Sequence, residues 1–202
     1  GVHLDKRLTP ILANGKRIIP AFTTYIEAGC GFGGSCFPKD VKALSAFSAA
    51  RVKSMPLLDS VIAVNAEQYK QIMARLYKHF PRLQGVKVAV LGLAFKPGTD
   101  DMRESPAIPV IHELLDGLAE IKVYDPVATT VARKVFGDEA VQYCESLAEV
   151  VEGVDAIVIM TRWSEFNELP LMIRDLPHQP LVVDGRRILD KFSVQRYEGI
   201  GL

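Results

Sequence analysis

From residue 86 onward the chain alternates short apolar runs with helical patterns, and this alternation fixes its architecture. Val86-Lys-Val-Ala-Val-Leu-Gly92, Ile121-Lys-Val-Tyr-Asp125, Val154-Asp-Ala-Ile-Val-Ile-Met-Thr161 and Leu181-Val-Val-Asp184 read as strands. Ser105–Leu115, Val127–Phe136 and Ser146–Val151 read as the helices between them. Near-continuous apolar strands separated by helices mean a parallel sheet covered on both faces. Residues 86–202 are therefore expected to form a doubly wound, Rossmann-like α/β domain. Residues 1–85 are expected to be a separate, mostly helical part. Gly1–Gly15 shows no core face and reads as a loose lead-in.

The helical part carries two periodic stretches. Val41, Leu44 and Phe47 mark one helix face, ending near Ala50. Leu58, Val61, Ile62, Asn65, Tyr69, Ile72, Met73, Leu76 and Phe80 recur at three- and four-residue steps, predicting one long amphipathic helix over Pro56–Phe80. Its wide apolar face suits either an intrachain core or a subunit interface.

Composition removes several function classes. The chain has 202 residues, 49% of them apolar, and 24 basic residues balance 24 acidic ones. A chain with no basic excess is not expected to bind nucleic acid or anionic lipid. No run approaches the ~18 apolar residues of a membrane span, and no signal-peptide pattern opens the sequence. Cys30, Cys36 and Cys144 are too few and too unevenly spaced for a disulfide framework, so a reducing cytoplasm is the expected compartment. No metal site is expected.

The chemistry concentrates in Gly31-Phe-Gly-Gly-Ser-Cys-Phe-Pro-Lys-Asp40. Gly29, Gly31, Gly33 and Gly34 let the backbone approach a ligand closely. Pro38 opens a helix, which places Cys36 at a helix N-terminus, where the macrodipole favours a thiolate. Lys39 adds positive charge, and Asp40 lies four residues after Cys36 on the same face. A thiolate beside a carboxylate suits covalent catalysis at a carbonyl carbon. The structural alternative for each feature taken singly is a buried small cysteine and an ordinary glycine turn. A cysteine protease fits poorly, because His3, His79, His112 and His178 stand in no partnering context. Gly92-Leu-Ala-Phe-Lys-Pro-Gly98 is neither a dinucleotide fingerprint nor a Walker A loop, since the glycine and lysine spacings differ from both. It reads as a strand-to-turn with a phosphate-facing lysine.

Gly31–Asp40 resembles the catalytic-cysteine signature of the UDP-glucose/GDP-mannose dehydrogenase family, and the resemblance extends over residues 16–202. It continues through Val41-Lys-Ala-Leu44, Val88–Pro106, Tyr124-Asp-Pro126 and Asp184-Gly-Arg-Arg187. The resemblance implies NAD-dependent oxidation of UDP-glucose to UDP-glucuronate through a thiohemiacetal and a thioester on Cys36, with Asp40 positioning or activating water. It implies Lys39 and Arg103 near the NAD cofactor, and Gly31, Phe32 and Gly33 against the sugar. It further implies Phe95 and Lys96 at the UDP moiety, Arg186 at the substrate, and Arg17 reaching a neighbouring subunit's substrate. A homodimer or higher homo-oligomer built on the central helices follows from the same resemblance. The sugar is expected to be glucose, with a related UDP-hexose left open.

The family's NAD domain precedes the cysteine motif, and no strand followed by G-x-G-x-x-G occurs in the 202 residues. The chain is therefore expected to be a fragment, inactive alone. The alternatives are a stand-alone UDP-sugar-binding or regulatory module without catalysis, and a thiol redox sensor at Cys36.

Overall fold

A computed structural model describes residues 9–18, 29–51 and 53–201. Of the lead-in expected over Gly1–Gly15, residues 1–8 lie outside the described residues. Residues 10–18 form a small hairpin closed by an antiparallel bridge between Ile11 and Arg17.

The expected α/β architecture is present. Six strands, β1 (Lys87–Leu91), β2 (Glu120–Tyr124), β3 (Gln142–Tyr143), β4 (Ala156–Ile159), β5 (Leu181–Asp184) and β6 (Tyr197–Gly199), form one sheet in the order β3-β2-β1-β4-β5-β6. Every neighbouring pair is parallel. All residues of β4 and β5 are buried, as are the last four of β1. Strands buried on both faces carry little alternation, which is why they read as continuous apolar runs. The chain order reverses between β1 and β4, so the crevice beyond their carboxyl ends is the place where such a sheet receives a ligand.

The helices are α1 (Phe37–Ala49), α2 (Pro56–Gln68), α3 (Lys70–His79), α4 (Ala107–Asp116), α5 (Thr129–Phe136), α6 (Leu147–Val151) and α7 (Leu169–Ile173), with a 3-10 turn over Ser164–Glu168. One sheet face is covered by α3, α4 and α5 through Ile72, Met73, Leu76, Val110, Ile111, Leu114 and Ala132. The other is covered by α6, the 3-10 turn and α7 through Leu147, Val150, Phe166, Leu169 and Ile173. Each fully buried aliphatic or phenyl side chain contributes on the order of 1.5–3 kcal/mol relative to exposure.

The single helix expected over Pro56–Phe80 is two helices that meet at Tyr69, whose backbone remains right-handed helical. Their environments differ. α3 buries Ile72, Met73 and Leu76 against the sheet, whereas α2 buries none of its residues fully. Leu57 and Val64 on α2 are 76% and 63% exposed, and Leu44 and Phe47 on α1 are also exposed. The apolar periodicity thus serves two purposes along its length: core packing in α3 and an open face on α2.

Candidate functional site

Buried carboxylates at the carboxyl ends of two strands shape the loops around the crevice. Asp125, just after β2, accepts hydrogen bonds from the backbone N–H groups of Leu93, Ala94, Val127 and Ala128 at 2.7–3.1 Å and from Trp163 Nε1 at 3.3 Å. Asp184, ending β5, accepts from the N–H groups of Arg186, Ile188 and Leu189 and from the Tyr197 hydroxyl. Thr161 donates to the Ala94 carbonyl and Ser105 to the Leu93 carbonyl. The segment after β1 therefore starts from a backbone whose polar groups are satisfied internally.

The glycine loop of residues 29–35 lies directly on this platform. Cys30 N–H donates to the Gly185 carbonyl at 3.0 Å, and Gly34 N–H to the Arg103 carbonyl at 2.8 Å. The contact is close enough to exclude side chains. A Cβ on Gly33 would stand 2.2 Å from the Glu104 carbonyl oxygen, and one on Gly34 (φ +93°) 2.9 Å from the Phe95 ring. Glu104 itself has φ +53°, a left-handed conformation that costs a non-glycine residue about 1–2 kcal/mol. Its carboxylate pairs with Lys42 of α1 at 2.8 Å. A strained residue fastened on both sides at a cavity edge is a signature of functional sites.

Cys36 is the N-cap of α1, with Pro38 inside the first turn. It is exposed and its Sγ lies 3.6 Å from Ser35 Oγ. A cavity of about 630 Å³ opens beside it, lined by Gly34, Ser35, Cys36, Lys39, Arg103 and Glu104. Arg103 is held by a two-pronged pair to Asp101, with Nε–Oδ1 at 2.9 Å and Nη2–Oδ2 at 2.7 Å. That pairing pushes the Asp101 carboxyl below, and the Arg103 guanidinium above, its ordinary range. The wall around the thiol thus carries charged side chains, Lys39, Arg103 and Glu104, each paired with an opposite charge. Cys30 and Cys144 are buried, and burial raises both thiols, Cys144 to about 11.

The structure brings some of the expected site residues together and leaves others apart. Cys36, Lys39 and Arg103 share the cavity wall, and Gly31, Phe32 and Gly33 lie in the adjoining loop. Phe95 packs on Gly33 and Gly34, and Lys96 Nζ stands 5.5 Å from the centre of the Phe95 ring. Arg186 is partly buried, donating from Nε to the Met160 carbonyl at 2.7 Å and from Nη1 to the Gly31 carbonyl at 3.0 Å. Asp40 is exposed, outside the cavity lining, and pairs with Lys39 at 3.3 Å. Arg17 lies in the 10–18 hairpin, where Nη1 donates to Thr9, and is also outside that lining. Sequence reading gave no role to Asn65 and did not single out Gln68 or Glu104, although all three hold the loop or the cavity rim. Asn65 is the legible one of these, being a polar residue within an apolar helical stripe.

Comparison with known proteins agrees with this layout. Residues 89–191 match the UDP binding domain of the UDP-glucose/GDP-mannose dehydrogenase family, and residues 8–67 match its central domain. The UDP-glucose 6-dehydrogenase YwqF of Bacillus subtilis is 41% identical over 163 residues, covering 80% of this chain and 37% of the relative. The UDP-glucose 6-dehydrogenase AglM of Haloferax volcanii is 42% identical over 178 residues, covering 88% and 40%. A solved UDP-glucose dehydrogenase from Pyrobaculum islandicum superposes with a TM-score of 0.79 at 35% identity, covering 98% of this chain and 41% of that one. A GDP-mannose dehydrogenase from Pseudomonas aeruginosa gives 0.74 at 29% identity, with 88% and 41% covered. The chain spans about two fifths of the length of these proteins.

Proposed function

Because the chain belongs to the UDP-glucose/GDP-mannose dehydrogenase family, we propose that it carries the nucleophile and the UDP site of a UDP-glucose 6-dehydrogenase. One observation carries this reading. Cys36, at the start of α1, shares a cavity wall with Lys39 and Arg103, beside a glycine loop seated on the carboxyl ends of a parallel sheet.

In this reading Cys36 Sγ adds to the C6 carbonyl of the aldehyde-stage sugar, giving a thiohemiacetal. Loss of hydride from that carbon leaves a thioester on Cys36. Water then cleaves the S–C bond, returning the thiol and releasing the C6 carboxylate. Asp40, one helical turn from Cys36, orients or activates that water. NAD, when bound, supplies the hydride acceptor. The two cations of the wall, Lys39 and Arg103, fit the anionic part of such a dinucleotide, and a cavity of about 630 Å³ admits one portion of it. Gly31, Phe32 and Gly33 lie against the sugar. Phe95 and Lys96 hold the UDP, a lysine meeting a diphosphate as a compact charge. Arg186 fixes the loop beside the substrate, and Arg17 reaches the substrate of a second copy.

Residues 1–85 form the central, subunit-joining part with the cysteine loop, and residues 86–202 the UDP-binding part. The exposed Leu44, Phe47, Leu57 and Val64 on α1 and α2 support a homodimer or larger homo-oligomer. Among the described residues no helix is long and apolar enough to cross a membrane. The cysteine content supports a cytoplasmic location.

Thermal melting with added nucleotide sugar tests the proposal. UDP-glucose raises the melting temperature, GDP-mannose does so less, and Lys96→Ala abolishes the UDP-glucose shift. An unchanged shift in the variant removes the UDP assignment.

A further inference from the structure

The loop carrying Cys36 is also gripped by α2. Asn65 meets both polar groups of one peptide residue: its Oδ1 accepts the Phe32 N–H at 2.8 Å, and its Nδ2 donates to the Phe32 carbonyl at 3.1 Å. Three residues further along the helix, Gln68 Nε2 donates to the Gly29 carbonyl at 2.8 Å. Arg186 holds the Gly31 carbonyl from the sheet side. A primary amide is the side chain that presents a donor and an acceptor together in one plane, as a peptide backbone requires. Aspartate offers acceptors alone, and a hydrocarbon offers neither.

The grip extends to the thiol through one further contact. The Phe32 ring meets the Phe37 ring edge-on at 4.8 Å between centres, and Phe37 is the first residue of α1. Cys36 stands between them in sequence, as the N-cap of that helix. Fixing the Phe32 backbone therefore fixes both ends of the short segment that holds the sulfur.

We infer that Asn65 is a positioning residue for the nucleophile. By clamping Phe32 it keeps the Cys36 thiol on the wall shared with Lys39 and Arg103. The inference rests on the proposed role of Cys36 and adds a device, located on α2, that no local motif around the cysteine contains.

Paired alkylating reagents test it on the full chain. Iodoacetate is anionic and iodoacetamide neutral, so the ratio of their rates at Cys36 reports whether the sulfur still faces the charged side chains of the wall. Cys30 and Cys144 are buried, so Cys36 dominates the reaction. The wild-type ratio is expected to differ from that of glutathione, because the sulfur faces the charged side chains of the wall. Asn65→Ala returns the ratio to the glutathione value. Asn65→Leu, which keeps the size and adds no charge but loses both contacts, gives the same change and provides the reading if the alanine variant does not fold. Gln179→Ala serves as the control for simple destabilisation. It removes contacts to the Ile173, Arg174 and Leu176 carbonyls and lowers the melting temperature without moving the ratio. An Asn65→Ala or Asn65→Leu ratio equal to the wild-type value overturns the inference, and so does a wild-type ratio no different from that of glutathione. Binding of UDP to the same variants separates the two levels of argument. Binding retained while the ratio returns to the glutathione value supports positioning, whereas a wild type that binds neither UDP nor UDP-glucose removes the nucleotide-sugar reading and leaves the clamp result standing.

Discussion

Replacing Gly33 by alanine adds one methyl group at the tightest glycine contact among the described residues. Gly33 is not in the left-handed region, so alanine is conformationally ordinary there and space alone opposes it. The new Cβ would lie 2.2 Å from the Glu104 carbonyl oxygen, 2.8 Å from its carbon and 3.1 Å from Phe95 Cβ, where ordinary contact begins at 3.4 Å. The obstacle is backbone, and that backbone is anchored at the next residue, where the Ser105 hydroxyl donates to the Leu93 carbonyl. Overpacking of this kind costs about 1–3 kcal/mol. The loop can limit the cost by lifting off, which forfeits the Gly34–Arg103 hydrogen bond and its neighbours at about 0.5–1.5 kcal/mol each. Either route gives a loss near 2 kcal/mol, or about 4–8 °C in melting temperature for a chain of this size. Both routes separate Cys36 from Arg103, so the stabilisation by UDP-glucose falls as well. Calorimetry with and without UDP-glucose measures both effects. Gly153→Ala is the control: its φ is +65° in open space, so it costs about 1–2 kcal/mol of backbone strain but leaves the ligand shift intact. A Gly33→Ala protein that melts with the wild type and keeps its ligand shift would falsify the close-contact account of the loop.

Alkylation near neutral pH, followed by mass spectrometry, modifies Cys36 first, then Cys144 and Cys30. Burial shields the latter two and pushes Cys144 up to about 11; comparable rates would contradict the placement of Cys36 at the surface. Asp125→Ala removes the shared acceptor of five donors and destabilises by about 3 kcal/mol or more, because several buried N–H groups lose their partner together. A loss under about 1 kcal/mol in a denaturant titration would contradict that role. Glu198 is held below its ordinary value of 4.5 by hydrogen bonds from Lys78 and His79. A depressed carboxyl stabilises the fold above its unfolded pKa and loses that contribution as pH falls through the folded value. Glu198→Gln therefore lowers the melting temperature at neutral pH and flattens its decline below about pH 4.5; parallel curves for variant and wild type would refute the assignment.

The sheet was legible wherever strands are buried on both faces. β5 was read at its observed limits, and β1, β2 and β4 differ from expectation only at their ends. β3 and β6, two and three residues long at the sheet edges, carry too little apolar sequence to register. The interruption at Tyr69 left no mark, since its backbone stays helical and the apolar spacing runs through it. At the site, Cys36, Lys39 and the glycine loop announced themselves because their relations are local. Arg186 was picked out through the family resemblance, but its hold on the Gly31 carbonyl was not legible, because the two residues lie 155 positions apart. Asn65 sits in the periodic stripe at a position a core residue would take, and its hydrogen-bonding role becomes visible only when the loop is folded against it.

The central claim is that UDP-glucose binds with its sugar end against Cys36. Protection measures this directly: the rate of Cys36 carboxymethylation by iodoacetate, read by mass spectrometry, with increasing UDP-glucose. The account predicts that the rate falls to near zero over the concentration range that raises the melting temperature, while GDP-mannose protects less. A Cys36 rate that stays constant while UDP-glucose stabilises the fold would place the ligand elsewhere and contradict the claim.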